Sequence, residues 1–349
     1  MARQLLLERA DLDSLAAVAH LVGMQAQVPL NPYLGLWSRL RDFRPEELGA
    51  ALEARAAVRI VAMRGTVHLL TADDALLLRP LCQPVLDGEL ARHRDVAPAL
   101  QGVDLAPVLT YGAQLLAERP RSGGQLRAAL AERFPNVDPA AMGLACRNKL
   151  ALVQVPPRGV WGKTSQVVTT TAEAWLGRPL VANPPIDEVV LRYLAAYGPA
   201  TPADVAAWSR LTGFREVVER LRPQLRTFRD EHGRELFDVP DAPLPDPDTP
   251  APARLLPEYD NAVLSHADRT RYYPDTPIEA DPPIHGSILH DGFLAGVWSL
   301  ARSREETILT VRHRPLDPAA IDEIQTEAER ALAFLEPSAA RHEVRAAEA

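Results

Sequence analysis

The sequence predicts an α+β fold in which a winged helix-turn-helix pattern, three helices and then a two-stranded ribbon, occurs three times in tandem ahead of a small β unit. Three observations predict it. Apolar spacing changes from a helical period to an alternating one in each of three successive stretches. Cap signals of the Asp, Asn and Thr type, several backed by proline, open the helical stretches. A proline-rich run at 240–257 then sets off a last segment whose Asp-Gly pair marks a hairpin.

In the first repeat, taken as residues 1–95, Asp11 or Asp13 opens a helix over 12–22, with Leu15, Val18, Ala19 and Val22 on one face and Gly23 as its stop. Gln25-Ala26-Gln27 follows in a loop. Asn31 caps a second helix with Pro32 at its first position, running to about Arg41, and Pro45 starts a third that ends near Ala54. Residues 58–63 and 66–70 alternate and form a ribbon around Arg64-Gly65. The second repeat, 100–180, has helices at 108–117, 123–134 and 139–150, then a ribbon of 152–155 and 160–163 with a basic tip. The third, 181–242, has helices at 186–197, 203–209 and 214–221 and strands at 225–229 and 235–239. Residues 243–257 read as a stiff connector. In the last unit, 258–336, a hairpin turns at His290-Asp291-Gly292, a strand covers 307–312, and Asp317-Pro318 opens a closing helix to about Leu335; the tail from Pro337 is expected to fray.

With 349 residues the chain should divide into two to four packed units. No apolar run approaches the roughly 20 residues of a membrane helix, and the start turns charged too soon for a signal peptide, so a cytoplasmic protein is expected. Cys82 and Cys146 are far apart, and the nine histidines show no His-Glu-x-x-His pattern, so neither metal nor cofactor is expected. The net charge of −8 argues mildly against a nucleic-acid partner, but of 38 basic residues only Lys149 and Lys163 are lysines, and arginine suits bidentate phosphate contacts. A GC-rich genome explains the arginine excess equally well.

The candidate catalytic residues are Gln25 and Gln27. A carboxamide does not titrate near neutral pH, yet it donates and accepts hydrogen bonds, so a pair can hold one water between defined partners. Two polar residues after a helix can equally be a solvated helix end. Arg64, Thr66 and His68 alternate along a strand and should point together, either beside the glutamines or, for His68, into a packed wing. Arg147, Lys149, Arg158 and Lys163 are candidate phosphate ligands, and His290 and the Arg158-Gly159 tip are candidate groove probes or plain solvent-facing turns.

Three blocks together resemble the AlkZ/YcaQ-like winged-helix DNA glycosylases: Gln25-Ala26-Gln27 before Tyr33-Leu34-Gly35-Leu36-Trp37, Met63-Arg64-Gly65-Thr66-Val67-His68-Leu69, and Leu255-Leu256-Pro257-Glu258-Tyr259-Asp260-Asn261 with Asp268-Arg269. The resemblance implies three winged units and a small β-barrel-like unit around a DNA-binding channel. It also implies that Gln25-Ala26-Gln27 is the catalytic motif in its two-glutamine form, the form similar to enzymes that protect antibiotic producers from their own DNA-alkylating products. The implied substrate is double-stranded DNA carrying an alkylated purine; a monomer is expected.

A purine alkylated at N7 or N3 already carries positive charge, so it leaves as a neutral base and needs no general acid. Two amides that orient water and the sugar would suffice. A lyase needs an amine for a Schiff base, and with only Lys149, Lys163 and the N-terminus available a monofunctional glycosylase is expected. The competing readings are a DNA-binding regulator without activity, disfavoured by the mixed charge of 214–220, and a protein-interaction scaffold.

Overall fold

The computed structural model describes residues 1–273, 285–303, 306–338 and 341–348. Asp13 opens helix α1 (Ser14–His20) by accepting from the Ala16 amide at 2.7 Å. Strand β1 (Met24–Gln25), α2 (Asn31–Trp37), α3 (Pro45–Glu53), β2 (Ala57–Val61) and β3 (Val67–Thr71) complete the first repeat. Its helices and ribbon lie where the sequence places them, with two differences. Gln25 belongs to a strand rather than a loop, and Asn31 is inside α2, its Nδ2 donating to the Glu258 carbonyl at 3.0 Å instead of capping. Helices α4 (Ala72–Leu81), α5 (Gln83–Arg92) and α6 (Val96–Ala99) then follow; the sequence reading has no counterpart to them, although Thr71 caps α4 and Asp73 and Asp74 occupy its first turn.

The second repeat contains α7 (Leu105–Glu118), β4 (Arg121–Ser122), α8 (Gly123–Arg133), α9 (Pro139–Lys149), β5 (Leu152–Gln154), β6 (Val168–Thr171) and α10 (Ala172–Leu176). The ribbon partner of β5 is thus 168–171, not 160–163. Pro156 and Pro157 cannot donate to a ladder, and the next residues fold onto the first repeat instead. There the Tyr33 hydroxyl donates to the Gly159 carbonyl at 2.8 Å and accepts from the Trp161 amide at 3.0 Å, with the two rings 5.0 Å apart. The first two ribbons also fuse: β2 pairs with β5, giving one six-stranded sheet in the order β1-β3-β2-β5-β6-β4.

The third repeat follows the sequence reading closely, with α11 (Ile186–Tyr197), α12 (Pro202–Ser209), α13 (Phe214–Leu221), β7 (Arg226–Arg229) and β8 (Glu235–Asp238). Its aromatic residues Tyr193, Tyr197 and Trp208 are packed in one core with Ile60, Leu70 and Val153 of the large sheet.

The last unit holds β9 (Arg254–Leu256), α14 (Asn261–Leu264), β10 (Gly286–His290), β11 (Phe293–Arg302), β12 (Thr307–His313), α15 (Pro318–Leu335) and β13 (His342–Glu348). The hairpin turn uses Asp291 and Gly292 at φ 49° and 80°, the left-handed pair of a tight two-residue turn. The five strands form an open sheet in the order β13-β12-β11-β10-β9, so the barrel-like expectation is corrected. Two further corrections explain the size of this sheet. The connector supplies β9 between Pro252 and Pro257, which a sheet edge tolerates because one side of an edge strand needs no donors. The tail supplies β13, parallel to β12. Neighbouring residues divide between the faces: Leu255, Ile288 and Ala295 pack under α15, while Leu256, Leu289 and Leu294 meet Leu6.

Candidate active site

Val22 and Gly23, at φ 51° and 91°, turn the chain sharply after α1 so that Met24 and Gln25 lie antiparallel to β3. A Cβ on Gly23 would come within 2.2 Å of Leu70 Cδ2, so the position demands glycine on both conformation and space. The register sets Gln25 opposite His68. Ala26 points the other way and is fully buried, its amide donating to the Val67 carbonyl at 2.7 Å and its carbonyl accepting from Arg59 at 2.8 Å. Gln27 is exposed at the end of this edge strand, and its Oε1 accepts from the Val67 amide at 3.3 Å.

Gln25 and His68 meet at Arg64, which sits in a tight turn at φ 57°. One Arg64 nitrogen, Nη2, donates to Gln25 Oε1 at 2.8 Å and to Asn261 Oδ1 at 3.1 Å, and lies 3.3 Å from His68 Nε2. Nη1 donates to the Trp208 carbonyl. Burial pushes Arg64 down to about 10, which leaves it cationic at neutral pH. His68 is wholly buried, and burial together with the Arg64 charge pushes it down to about 3. Its neighbours select the tautomer: arginine only donates, so Nε2 accepts, and Nδ1 donates to the Thr66 carbonyl at 3.0 Å. His68 is therefore a neutral acceptor inside the fold.

Asn261, at the start of α14, completes the group, and the sequence reading does not single it out as a site residue. Its Nδ2 donates to the Gly23 carbonyl at 3.0 Å and to the Tyr197 hydroxyl at 3.2 Å, and that hydroxyl donates to the Leu21 carbonyl at 2.7 Å. Asp260 anchors it from behind: buried Arg39 grips the carboxylate at 2.7 and 2.9 Å, and the same carboxylate caps α14 through the Ala262 amide. The Asp-Asn pair after Pro257 was the visible signal, but no spacing rule links residue 261 to residue 25.

The structure thus brings Gln25, Arg64 and His68 into contact; Gln27 meets the Val67 amide, while the hydroxyl of the preceding Thr66 turns back to the Met63 carbonyl. Arg64 Nη1 and Nη2 donate to protein acceptors. Arg147 reaches the Gly65 carbonyl at 3.5 Å and pairs with Glu89. Lys149 pairs with Asp87 at 2.8 Å and Lys163 with Glu53 at 2.6 Å, while Arg158 donates to the Ser165 carbonyl. His290 lies on the last unit, 3.2 Å from Glu323. These pairs are partly or largely exposed, so each acid holds its base only weakly.

The model of the AlkZ-like DNA glycosylase family matches residues 18–334 of this sequence. The chain belongs to that family. It is a DNA glycosylase, an enzyme that hydrolyses N-glycosidic bonds of DNA, and its setting is DNA repair. The fold is similar to that of the Streptomyces sahachiroi DNA glycosylase AlkZ, with a TM-score of 0.78 and 23% identity over 99% of this chain and 97% of that one. A search of curated proteins finds no match. Among the described residues no helix is long and apolar enough to cross a membrane. For the glycosylase the consequence of the geometry is chemical. The two glutamines are neutral, His68 is held neutral, and among the described residues the charge that contacts Gln25 is the cation of Arg64.

Proposed function

We propose that this glycosylase releases purines that alkylation at N7 of guanine or N3 of adenine has made cationic, and that Gln25 and Gln27 orient the attacking water. The observation that carries the reading is the bond from Arg64 to Gln25 Oε1. It occupies Oε1 as the acceptor and leaves Nε2 as the donor of the carboxamide, and contact with a cation strengthens that donor. The Gln25 amide donates to the water oxygen. Gln27 Oε1, which keeps a second lone pair beside its bond from the Val67 amide, accepts from the water. The remaining lone pair on the water attacks C1′. As the new C–O bond forms, the C1′–N bond breaks, its electrons neutralise the purine, and the water proton passes to solvent. No protonated group has to reach the leaving base, in keeping with a neutral His68.

The three repeats at 1–95, 100–180 and 181–242 and the unit at 258–336 are read as enclosing a channel for double-stranded DNA around a monomer in the cytoplasm. The Arg158-Gly159 loop and the His290-Asp291-Gly292 hairpin serve as groove probes, and Arg147, Lys149 and Lys163 exchange their carboxylate partners for phosphates. The two-glutamine motif favours self-resistance, including release of bulky natural-product adducts, beside general alkylation repair. With both lysines held by carboxylates in the free chain and by phosphates on DNA, the enzyme is monofunctional. The test is incubation with duplex DNA bearing N7-methylguanine. Free base should appear, with strand breaks only after alkali, and the double variant Gln25→Ala, Gln27→Ala should release it far more slowly. Equal rates for that variant and the wild type would falsify the reading.

A further inference from the structure

A cavity of about 340 Å³ lies between the large sheet and helices α8 and α9. Its size falls within the roughly 300–1,000 Å³ common for small-molecule sites. Val61 and Val67, paired across β2 and β3, form part of its floor, and Leu126, Leu144 and Val167 add further apolar surface. Val167 is 41% exposed, so that surface reaches solvent. Val67 and His68 are neighbours on one strand, and Gln25 pairs with His68, so the cavity lies on the face opposite Gln25. A molecule held there leaves the place of the reacting nucleotide free.

The charge around this cavity has one sign. Acids outnumber bases by 46 to 38 in the chain, yet among the described residues no carboxylate lines the cavity, whereas Arg127 and Arg147 do. Two glycines of the lining leave room for Arg127: a Cβ on Gly143 would come within 2.8 Å of its Cγ, and one on Gly123 within 3.3 Å of its Nη1. Arg147 is half-buried and reaches Glu89 only at 3.5 Å, a loose pair that a better anion would displace. Gln154 and Thr169, paired across β5 and β6, add an amide and a hydroxyl. The apolar walls suit no bare inorganic ion, and two guanidinium groups repel a cation. The class that fits is a small amphipathic anion, an apolar body that bears a carboxylate or sulfonate.

We propose that this cavity is an effector site for such an anion, whose charge draws Arg147 away from DNA. The site stands apart from the base-release reading; its effect on DNA rests on the assignment of Arg147 to a phosphate, and the test separates the two. The probe is 8-anilinonaphthalene-1-sulfonate, with N-phenyl-1-naphthylamine as the same apolar body without the charge. In fluorescence titrations the wild type should hold the sulfonate about tenfold more tightly than the neutral amine, a factor that charge-assisted contacts supply. Ala140 is exposed on α9 and lines the cavity, so Ala140→Trp fills the space and should abolish binding of both. Val167→Asp, also at an exposed position, sets a like charge there and should expel the sulfonate while keeping the amine. Saturating sulfonate should weaken duplex binding by the wild type about fivefold, the order of one lost phosphate contact near physiological salt, and leave duplex binding by Ala140→Trp unchanged. Sulfonate bound as tightly by Ala140→Trp as by the wild type, or no more tightly than the amine, overturns the site. If Arg147→Gln weakens duplex binding and saturating sulfonate does not, the effector role is overturned. If neither does, the phosphate assignment of Arg147 has failed, the effector role falls with it, and the titrations alone decide the site.

Discussion

Gln25 owes its orientation to Arg64, and Arg64 owes its position to a left-handed turn residue and to acceptors from three separate parts of the chain. Removing an oriented donor of this kind costs about 10²–10³ in rate. Gln25→Ala should therefore slow base release by that order in single-turnover assays while duplex affinity, set by phosphate contacts, holds. Arg64→Met should give a loss of similar size although Arg64 need not touch DNA, because Gln25, His68 and Asn261 all lose their shared donor. His68 makes a pH prediction. An unfolded histidine titrates near 6.5, and this one is pushed down to about 3 by burial and by Arg64. Between those values the unfolded chain binds the extra proton, so stability is whole above about pH 6.5 and is withdrawn as the pH falls toward 3. His266, pushed down to about 4 by burial and Arg271, acts in the same direction. Urea midpoints measured from pH 7 to pH 4 should fall, and fall less in a folded His68→Gln variant.

Among the elements, the two-residue strand β1 decides the site. Its brevity hid it from sequence reading: two residues carry no periodicity, and only the ladder to β3 defines them. The glycine before it was legible as a helix stop, but not as the point where a side chain would strike Leu70. Gly23→Ala should destabilise the fold and slow base release together, since the Gly23 carbonyl also receives Asn261. Denaturation and single-turnover rates on one preparation check this. By contrast Asp13→Ala removes a cap worth about 1 kcal/mol from a helix end away from Gln25, so the melting temperature should drop with little change in rate. The third repeat was read almost residue for residue because each of its elements has its own local signal, such as the Thr201 capping box and the Asp230–Gly233 turn. The second ribbon was misread because 160–163 alternates like a strand, yet it is held by Tyr33.

Across the whole molecule, the β unit after residue 250 reaches back to complete the site of the first repeat. The Arg39–Asp260 pair carries that connection, with both side chains at most 3% exposed. Breaking a buried pair from one side strands the other charge and costs about 3–5 kcal/mol. Asp260→Ala should lower urea stability by that order and should also slow base release, because Asn261 loses its anchor. Equal release rates at a temperature where both proteins are folded would show that Asn261 has no part in positioning Arg64.

The sequence by itself determined most of the helices, caps such as those of Asp13, Thr201 and Asp317, the Arg64-Gly65 turn, the Asp291-Gly292 hairpin and the glutamine motif, because each rests on interactions spanning a few residues. Only the tertiary structure decided that two ribbons join in one sheet, that β9 and β13 turn a connector and a tail into sheet edges, and that residues 25, 64, 68 and 261 share one hydrogen-bond group. Those outcomes depend on partners tens to hundreds of residues apart, and no local pattern of side chains specifies which distant backbone or carboxamide will be there to meet them.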